Sequence, residues 1–247
     1  MTTAPTVDRH TVWRKAFAEF LGSALLVATV VGSGIAAQAL SPDDVGLQLL
    51  ENSLATGAVL VALILALGPV SAAFNPVVTL AERVLGAVTN GEAAIFISAQ
   101  TSGACVGSVL ANLMFDLDAV TISTKERSSG GLWLAEVVAT FGLLLVVFGV
   151  VRSGRDALAP FAVGGYITAA YWFTSSTSFA NPAVTIARTL TDTFAGIDPT
   201  SVLAFIAMQL VGGALAVGAV LALYPNARDL AAHVADLNTT EREHAHD

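Results

Sequence analysis

The chain has 247 residues, of which 55% are hydrophobic and 12% charged, and its mean hydropathy is +0.72. Because an average soluble domain carries about 25% charged residues, this composition excludes an ordinary soluble protein. The net charge of −8 argues against a nucleic-acid partner, and the single cysteine, Cys105, excludes an intramolecular disulfide.

Six apolar segments predict helices that cross the membrane. They cover residues 13–38, 47–68, 93–114, 131–151, 158–173 and 201–224. Two further apolar segments, 75–85 and 181–190, are about ten residues long and predict helices of ~15 Å, which is half of a bilayer core. We therefore expect an all-α membrane protein with six transmembrane helices and two re-entrant half-helices.

The distribution of basic residues predicts the orientation in the membrane. With both termini inside, eight of the 11 Lys and Arg residues lie on the inner side, and only Lys125, Arg127 and Arg188 lie outside. Since short cytoplasmic loops carry an excess of Lys and Arg, we expect a multi-pass protein of the cell inner (plasma) membrane with both termini in the cytoplasm. Residues 1–12 would be a cytosolic segment, 13–225 the membrane domain and 226–247 a cytosolic tail.

Three short motifs occur twice and in the same order. They are Ala-Glu at 18–19 and 135–136, Asn-Pro at 75–76 and 181–182, and Gln with small residues three and four positions later at 100–104 and 209–213. The two copies, about 13–115 and 131–225, each hold three spans. Because three is odd, the second copy enters the membrane from the opposite face, which predicts inverted repeats.

The two Asn-Pro pairs begin the half-helices. Proline suits the first helical position, and Asn75 and Asn181 suit the N-cap position before it. Two helix N-termini that face each other at mid-membrane create a positive potential, and the asparagine amides add N–H donors. A neutral solute can accept these hydrogen bonds, whereas a cation is repelled, so the pattern predicts a pore for water or small uncharged solutes.

Two carboxylates and two glutamines inside the predicted spans are matched between the repeats: Glu19 with Glu136, and Gln100 with Gln209. An intramembrane carboxylate indicates either a functional group, such as a proton relay, or a structural brace. The twin placement of Glu19 and Glu136 favours bracing of the irregular backbone before each half-helix. The glutamines are interpreted as interhelical contacts, and the small residues after them predict close helix packing.

These motifs resemble the major intrinsic protein family, the aquaporins and aquaglyceroporins, over about residues 12–225. The resemblance rests on the twin Asn-Pro motifs (Asn75-Pro76-Val77 and Asn181-Pro182-Ala183), on Ala-Glu-Phe at 18–20 and on the glutamines. The segments 68–71 and 170–180, which precede the two motifs, resemble the bacterial branch that accompanies arsenic-resistance genes. The resemblance implies an aquaporin-like channel domain over 13–225, a homotetramer in the lipid bilayer, and passage of arsenite-like metalloid acids.

The family also has an outer selectivity filter of four residues. Matching the motifs assigns it to Thr56, Ser178, Val184 and a fourth residue, either Tyr171 or Ala169. Val184 stands where water-selective members have arginine, which implies a wider and uncharged constriction. Arg188, one helical turn beyond Val184, is expected to face the outer end of the half-helix rather than the pore.

Other departures concern the first motif. The segment Ser71-Ala72-Ala73-Phe74 lacks the histidine that the family has before the first Asn, and Val77 replaces alanine. The resemblance therefore gives no prediction for the geometry of the cytoplasmic vestibule.

We expect a passive channel for arsenite, antimonite, glycerol and some water that excludes ions and protons. The alternative is a secondary transporter, because such proteins are also built from inverted repeats. An enzyme is not expected, since all four histidines (10, 233, 244 and 246) lie in the terminal segments. No cofactor or metal is predicted.

Overall fold

The computed structural model describes residues 9–224, and all regular structure in that range is helical. The helices are α1 (Arg9–Leu40), α2 (Val45–Leu67), α3 (Pro76–Leu85), α4 (Asn90–Met114), α5 (Gly130–Arg152), α6 (Ala159–Phe173), α7 (Pro182–Ala187) and α8 (Pro199–Leu223). Short 3-10 turns, Asp156–Leu158 and Arg188–Leu190, precede α6 and follow α7. The predicted tail, 226–247, and most of the N-terminal segment lie outside the described residues.

Five helices, α1, α2, α4, α5 and α8, are long and apolar enough to cross a membrane. Helix α6 is shorter, at 15 residues, and continues directly from the 3-10 turn before it. The half-helices α3 and α7 have ten and six residues. The second is shorter than the predicted 181–190 because its last residues, Arg188–Leu190, tighten into the 3-10 turn.

Polar side chains define where several helices begin. The Asp44 carboxylate accepts from the Leu47 N–H at the start of α2, and Ser129 does the same for Leu132 at the start of α5. Thr89 and Glu92 form a capping box at the start of α4. Each cap satisfies N–H groups that have no partner within the first turn of a helix.

The two repeats pack through small residues. A methyl group added to Gly103 or Gly107 of α4 would overlap the main chain of α1 at Phe20 and Ala24. Gly212 of α8 has the equivalent position against Val137 of α5. Glycine at these positions therefore permits backbone-to-backbone approach of α1 with α4 and of α5 with α8, as is common in membrane helices.

Large apolar side chains cover the outside of the bundle. Leu54, Phe161 and Leu203 are 55%, 55% and 80% exposed, and Trp13 and Trp172 are also exposed. In water such a surface is unfavourable. It is the surface expected of helices that contact lipid.

Candidate permeation pathway

A cavity of about 670 Å³ runs between the two repeats. Its wall comes from α1, α2, α5 and α6, from the segments before both half-helices, and from residues of α3 and α7. Asn75 and Asn181 both line it, with apolar side chains such as Leu60, Leu143 and Ile167 on the other sides. The cavity is thus apolar over much of its wall and polar at the half-helix tips.

The two asparagines join the half-helix tips across the repeats. Asn75 Nδ2 donates to the Ala180 carbonyl at 2.7 Å, and Asn181 Nδ2 donates to the Phe74 carbonyl at 2.7 Å. Each Oδ1 accepts an N–H of its own half-helix, from Val77 at 2.9 Å and from Ala183 at 3.0 Å. One hydrogen of each NH₂ group is therefore engaged across the interface, and the second remains for a solute in the cavity.

The other motif residues do not reach the cavity. Pro76, Val77, Pro182 and Ala183 form the first turns of α3 and α7 and are all buried. Val77 packs on the other side, where a methyl group on Gly213 of α8 would overlap its side chain. The added bulk of Val77 is thus accommodated by a glycine.

The residues before each asparagine have left-handed backbones. Phe74 and Ala180 both have φ of 48°, a value that non-glycine residues adopt at a cost. The carbonyls of these same two residues accept the hydrogen bonds from the asparagine of the opposite repeat. Phe74 itself is buried, lines the cavity and packs where α1 has a glycine, Gly22.

Glu19 is fully buried and accepts hydrogen bonds from the segment before α3. Ser71 Oγ at 2.5 Å and the Ala73 N–H at 2.9 Å bind Oε1, and the Phe74 N–H at 2.7 Å binds Oε2. Gln100 Nε2 donates to Glu19 Oε2 at 2.7 Å. Four donors therefore converge on this carboxylate.

Glu136 repeats the arrangement in the second half. Its carboxylate accepts from the N–H groups of Phe179 at 3.0 Å and Ala180 at 2.9 Å, and from Gln209 Nε2 at 2.6 Å. Gln209 also donates to Thr185 Oγ1, as Gln100 does to Thr79 Oγ1. Neither carboxylate is among the residues that line the cavity.

The predicted filter residues lie on the cavity wall. Thr56, Tyr171, Ser178 and Val184 all line it, and the hydroxyls of Thr56 and Tyr171 are 3.1 Å apart. Ala169, the alternative for the fourth position, does not line the cavity and is exposed on the outside of α6. The Ser178 hydroxyl is buried and has no hydrogen-bond partner among the described residues.

Arg188 does not have the predicted position. Its side chain lines the cavity and is 2% exposed, so the expectation that it faces the outer end of the half-helix is wrong. The α-helix ends at Ala187, and Arg188 lies in the 3-10 turn, where its guanidinium carbon stacks 3.5 Å from the ring centroid of Phe179. One feature of the sequence does agree with this position. Arg188 follows Asn181 by seven residues, and Glu82, which also lines the cavity, follows Asn75 by seven.

A loop between the repeats brings two more cations to this end of the cavity. The guanidinium carbon of Arg127 is 5.0 Å from the Phe179 ring centroid, and Arg127 Nε donates to the Gly196 carbonyl at 3.0 Å. Burial lowers the pKa of Arg127 to about 10. Burial, followed by the charges of Arg127 and Arg188, lowers the pKa of Lys125 to about 8. The sequence predicted Lys125 and Arg127 on the outer side of the membrane, but no pattern in it predicted that their loop packs against Phe179.

The chain has relatives of known family. It matches the family model described as Major intrinsic protein over residues 6–180. It is 48% identical over 218 residues to "Aquaglyceroporin AqpS" of Rhizobium meliloti (strain 1021), which covers 88% of this chain and 93% of the relative. It is 32% identical over 179 residues to "Aquaporin A" of Dictyostelium discoideum, covering 67% of this chain and 64% of that relative.

The fold also matches a solved structure. The aquaglyceroporin from Plasmodium falciparum superposes with a TM-score of 0.68 at 20% identity, covering 87% of this chain and 98% of that one. The five long helices, the shorter α6, the two half-helices and the cavity define a membrane channel for small solutes. The chain belongs to the major intrinsic protein family. The predicted aquaporin-like fold is thereby confirmed, and the family consists of channels rather than enzymes.

Proposed function

We propose that the protein is a passive pore for small uncharged oxygen-bearing solutes: arsenite- and antimonite-like acids, glycerol and some water. The observation that carries this proposal is the cavity that passes both asparagine tips and reaches Thr56, Tyr171, Ser178 and Val184. The name "aquaglyceroporin" of the 48% identical relative supports glycerol as one solute.

The chemistry of the wall suits neutral polyols and hydroxo acids. The free amide hydrogens of Asn75 and Asn181 donate to a solute oxygen, and the unpartnered Ser178 hydroxyl can donate or accept. Val184 leaves a wider and apolar surface where water-selective members of the family have an arginine. Solutes that carry several hydroxyls around a compact centre fit this combination.

The secondary-transporter alternative is less favoured. Coupling to protons or sodium needs titratable groups or ion ligands that are free to act along the path. The buried carboxylates Glu19 and Glu136 accept hydrogen bonds from main-chain and glutamine donors and do not line the cavity. Two other acidic side chains, Glu82 and Asp156, do line it, but neither belongs to the half-helix tips or to the predicted filter. We propose that both act as braces for the left-handed turns before the half-helices.

The placement in the cell is also part of the proposal. The excess of basic residues in the loops on one side supports an inner (plasma) membrane protein with both termini in the cytoplasm. The family resemblance supports a homotetramer in which each subunit holds its own pore.

Reconstituted vesicles test this function. Stopped-flow swelling driven by glycerol, arsenite or antimonite gradients should be faster in proteoliposomes than in empty vesicles, with flux proportional to the gradient and independent of sodium. Stimulation of uptake by unlabelled solute on the opposite side, together with saturation, would instead indicate a carrier. Equal rates in proteoliposomes and empty vesicles would refute the proposed function.

A further inference from the structure

The Arg188 side chain is held in one place on the cavity wall. Its Nε donates to the Ala195 carbonyl, and its guanidinium stacks on Phe179, which also lines the cavity. A guanidinium that stacks on an aromatic ring while donating from its edge has little freedom to leave. The positive charge is thus a fixed part of the wall, beyond Val184.

The remaining donors of Arg188 have no acceptor within the described chain. A guanidinium has five N–H groups, and the bond to Ala195 uses one. The nearby Glu136 carboxylate is engaged by two main-chain N–H groups and Gln209. In residues 9–224 no acidic side chain forms an ion pair with Arg188. The charge and its donors are therefore directed to whatever occupies the cavity.

Neighbouring charges strengthen the positive potential at this point. The Arg127 guanidinium lies against the same Phe179 ring but is not part of the cavity wall. A buried cation in surroundings of low dielectric acts on a second charge far more strongly than it would in water. A small cation that reaches Val184 meets this field, whereas a neutral hydroxylated solute meets hydrogen-bond donors.

From this geometry we propose that Arg188 is a selectivity-determining residue of the outer pore. Its charge excludes small cations, and its free N–H groups donate to the oxygens of neutral solutes. It would supply from the 3-10 turn the cationic group that is missing at Val184. This inference rests on the proposed pore function.

The test measures two permeabilities in the same proteoliposomes: glycerol-driven swelling and uptake of methylammonium, a small cation. Arg188→Gln should raise methylammonium permeability about tenfold or more, because the repulsive charge is removed. Arg188→Lys, which keeps the charge, should stay close to wild type. Arg127→Gln is the matched control, since Arg127 packs on the same ring without lining the cavity; its leak should be clearly smaller than that of Arg188→Gln.

A chemical rescue separates charge from packing. In a Cys105→Ala background, Arg188→Cys should admit methylammonium, and modification with aminoethyl methanethiosulfonate should restore exclusion by adding a positive charge. Methyl methanethiosulfonate, which adds no charge, should not restore it. This variant also serves if Arg188→Gln does not fold.

Each outcome is decisive. Glycerol permeability without an increased methylammonium leak in Arg188→Gln or Arg188→Cys would overturn the role of Arg188 and leave the pore intact. An Arg127→Gln leak equal to that of Arg188→Gln would also overturn it. If the wild type does not pass glycerol, the proposed function fails first, and this inference fails with it.

Discussion

The side chain of Asn75 donates to the main-chain carbonyl of Ala180, 105 residues away in the second repeat, at a distance of 2.7 Å. Asn181 makes the equivalent bond to Phe74 at 2.7 Å. Each asparagine therefore caps its own half-helix and ties the opposite one in place. The donors that face a solute are fixed by the same bonds that hold the two repeats together.

Asn75→Ala should lower the free energy of unfolding by more than the loss of a helix N-cap alone would. It removes the acceptor for the Val77 N–H and leaves the Ala180 carbonyl without its donor, which together amount to about 2–4 kcal/mol. The measurement is thermal unfolding in detergent, with the exposed Asn90→Ala as control. An equal melting temperature for Asn75→Ala and Asn90→Ala would contradict the tie across the repeats.

Glu19→Gln tests bracing against proton coupling. A glutamine presents an NH₂ group where donors converge, so the Ala73 N–H loses its acceptor in one orientation of the amide and the Phe74 N–H loses it in the other, at a cost of about 1–3 kcal/mol. We expect a lower melting temperature, while solute flux through the wild type stays independent of a proton gradient. A stable Glu19→Gln variant in which a proton-driven flux has disappeared would favour the transporter instead.

Val184→Arg should restrict solutes by size. The longer cationic side chain narrows the cavity that Val184 lines together with Thr56 and Tyr171, so glycerol and arsenite permeability should fall more than water permeability. Swelling and osmotic shrinkage of the same proteoliposomes give both values. Equal losses of solute and water flux would indicate misfolding rather than a filter at this position.

Lys125 should contribute a pH-dependent term to stability. Its pKa is lowered to about 8 in the folded protein from an ordinary value of 10.5, so between these values the unfolded chain binds more protons and stability rises with pH. The difference in melting temperature between wild type and Lys125→Gln should therefore shift in favour of the wild type from pH 8 to 10. A difference that is constant over this range would show that the Lys125 pKa is not lowered.

Much of the architecture follows from sequence because it depends on local signals. Length and apolarity identify the long helices, and proline after asparagine identifies the starts of α3 and α7. The odd number of spans in each half then requires inversion. These features depend on spacing along the chain, which is visible without coordinates.

The features that the sequence did not predict depend on contacts between segments that are distant along the chain. The helical spacing of Arg188 from Val184 predicted an outward direction, but the helix ends at Ala187 and the 3-10 turn redirects the side chain onto Phe179. The bonds of Asn75 to Ala180 and of Asn181 to Phe74 occur with left-handed backbones at Phe74 and Ala180, a conformation that the sequence does not predict for non-glycine residues. Tyr171 rather than Ala169 lines the cavity because of the rotation of α6.

The central claim is that neutral solutes cross through the cavity that contains Asn75, Asn181 and Val184. Glycerol-driven swelling of proteoliposomes that hold wild type or Val184→Trp tests it most directly, with equal protein incorporation and monodisperse material for both. The wild type should swell faster than empty vesicles, and Val184→Trp should return to the rate of empty vesicles because the indole fills the path. Swelling of Val184→Trp at the wild-type rate would show that the solute takes another route.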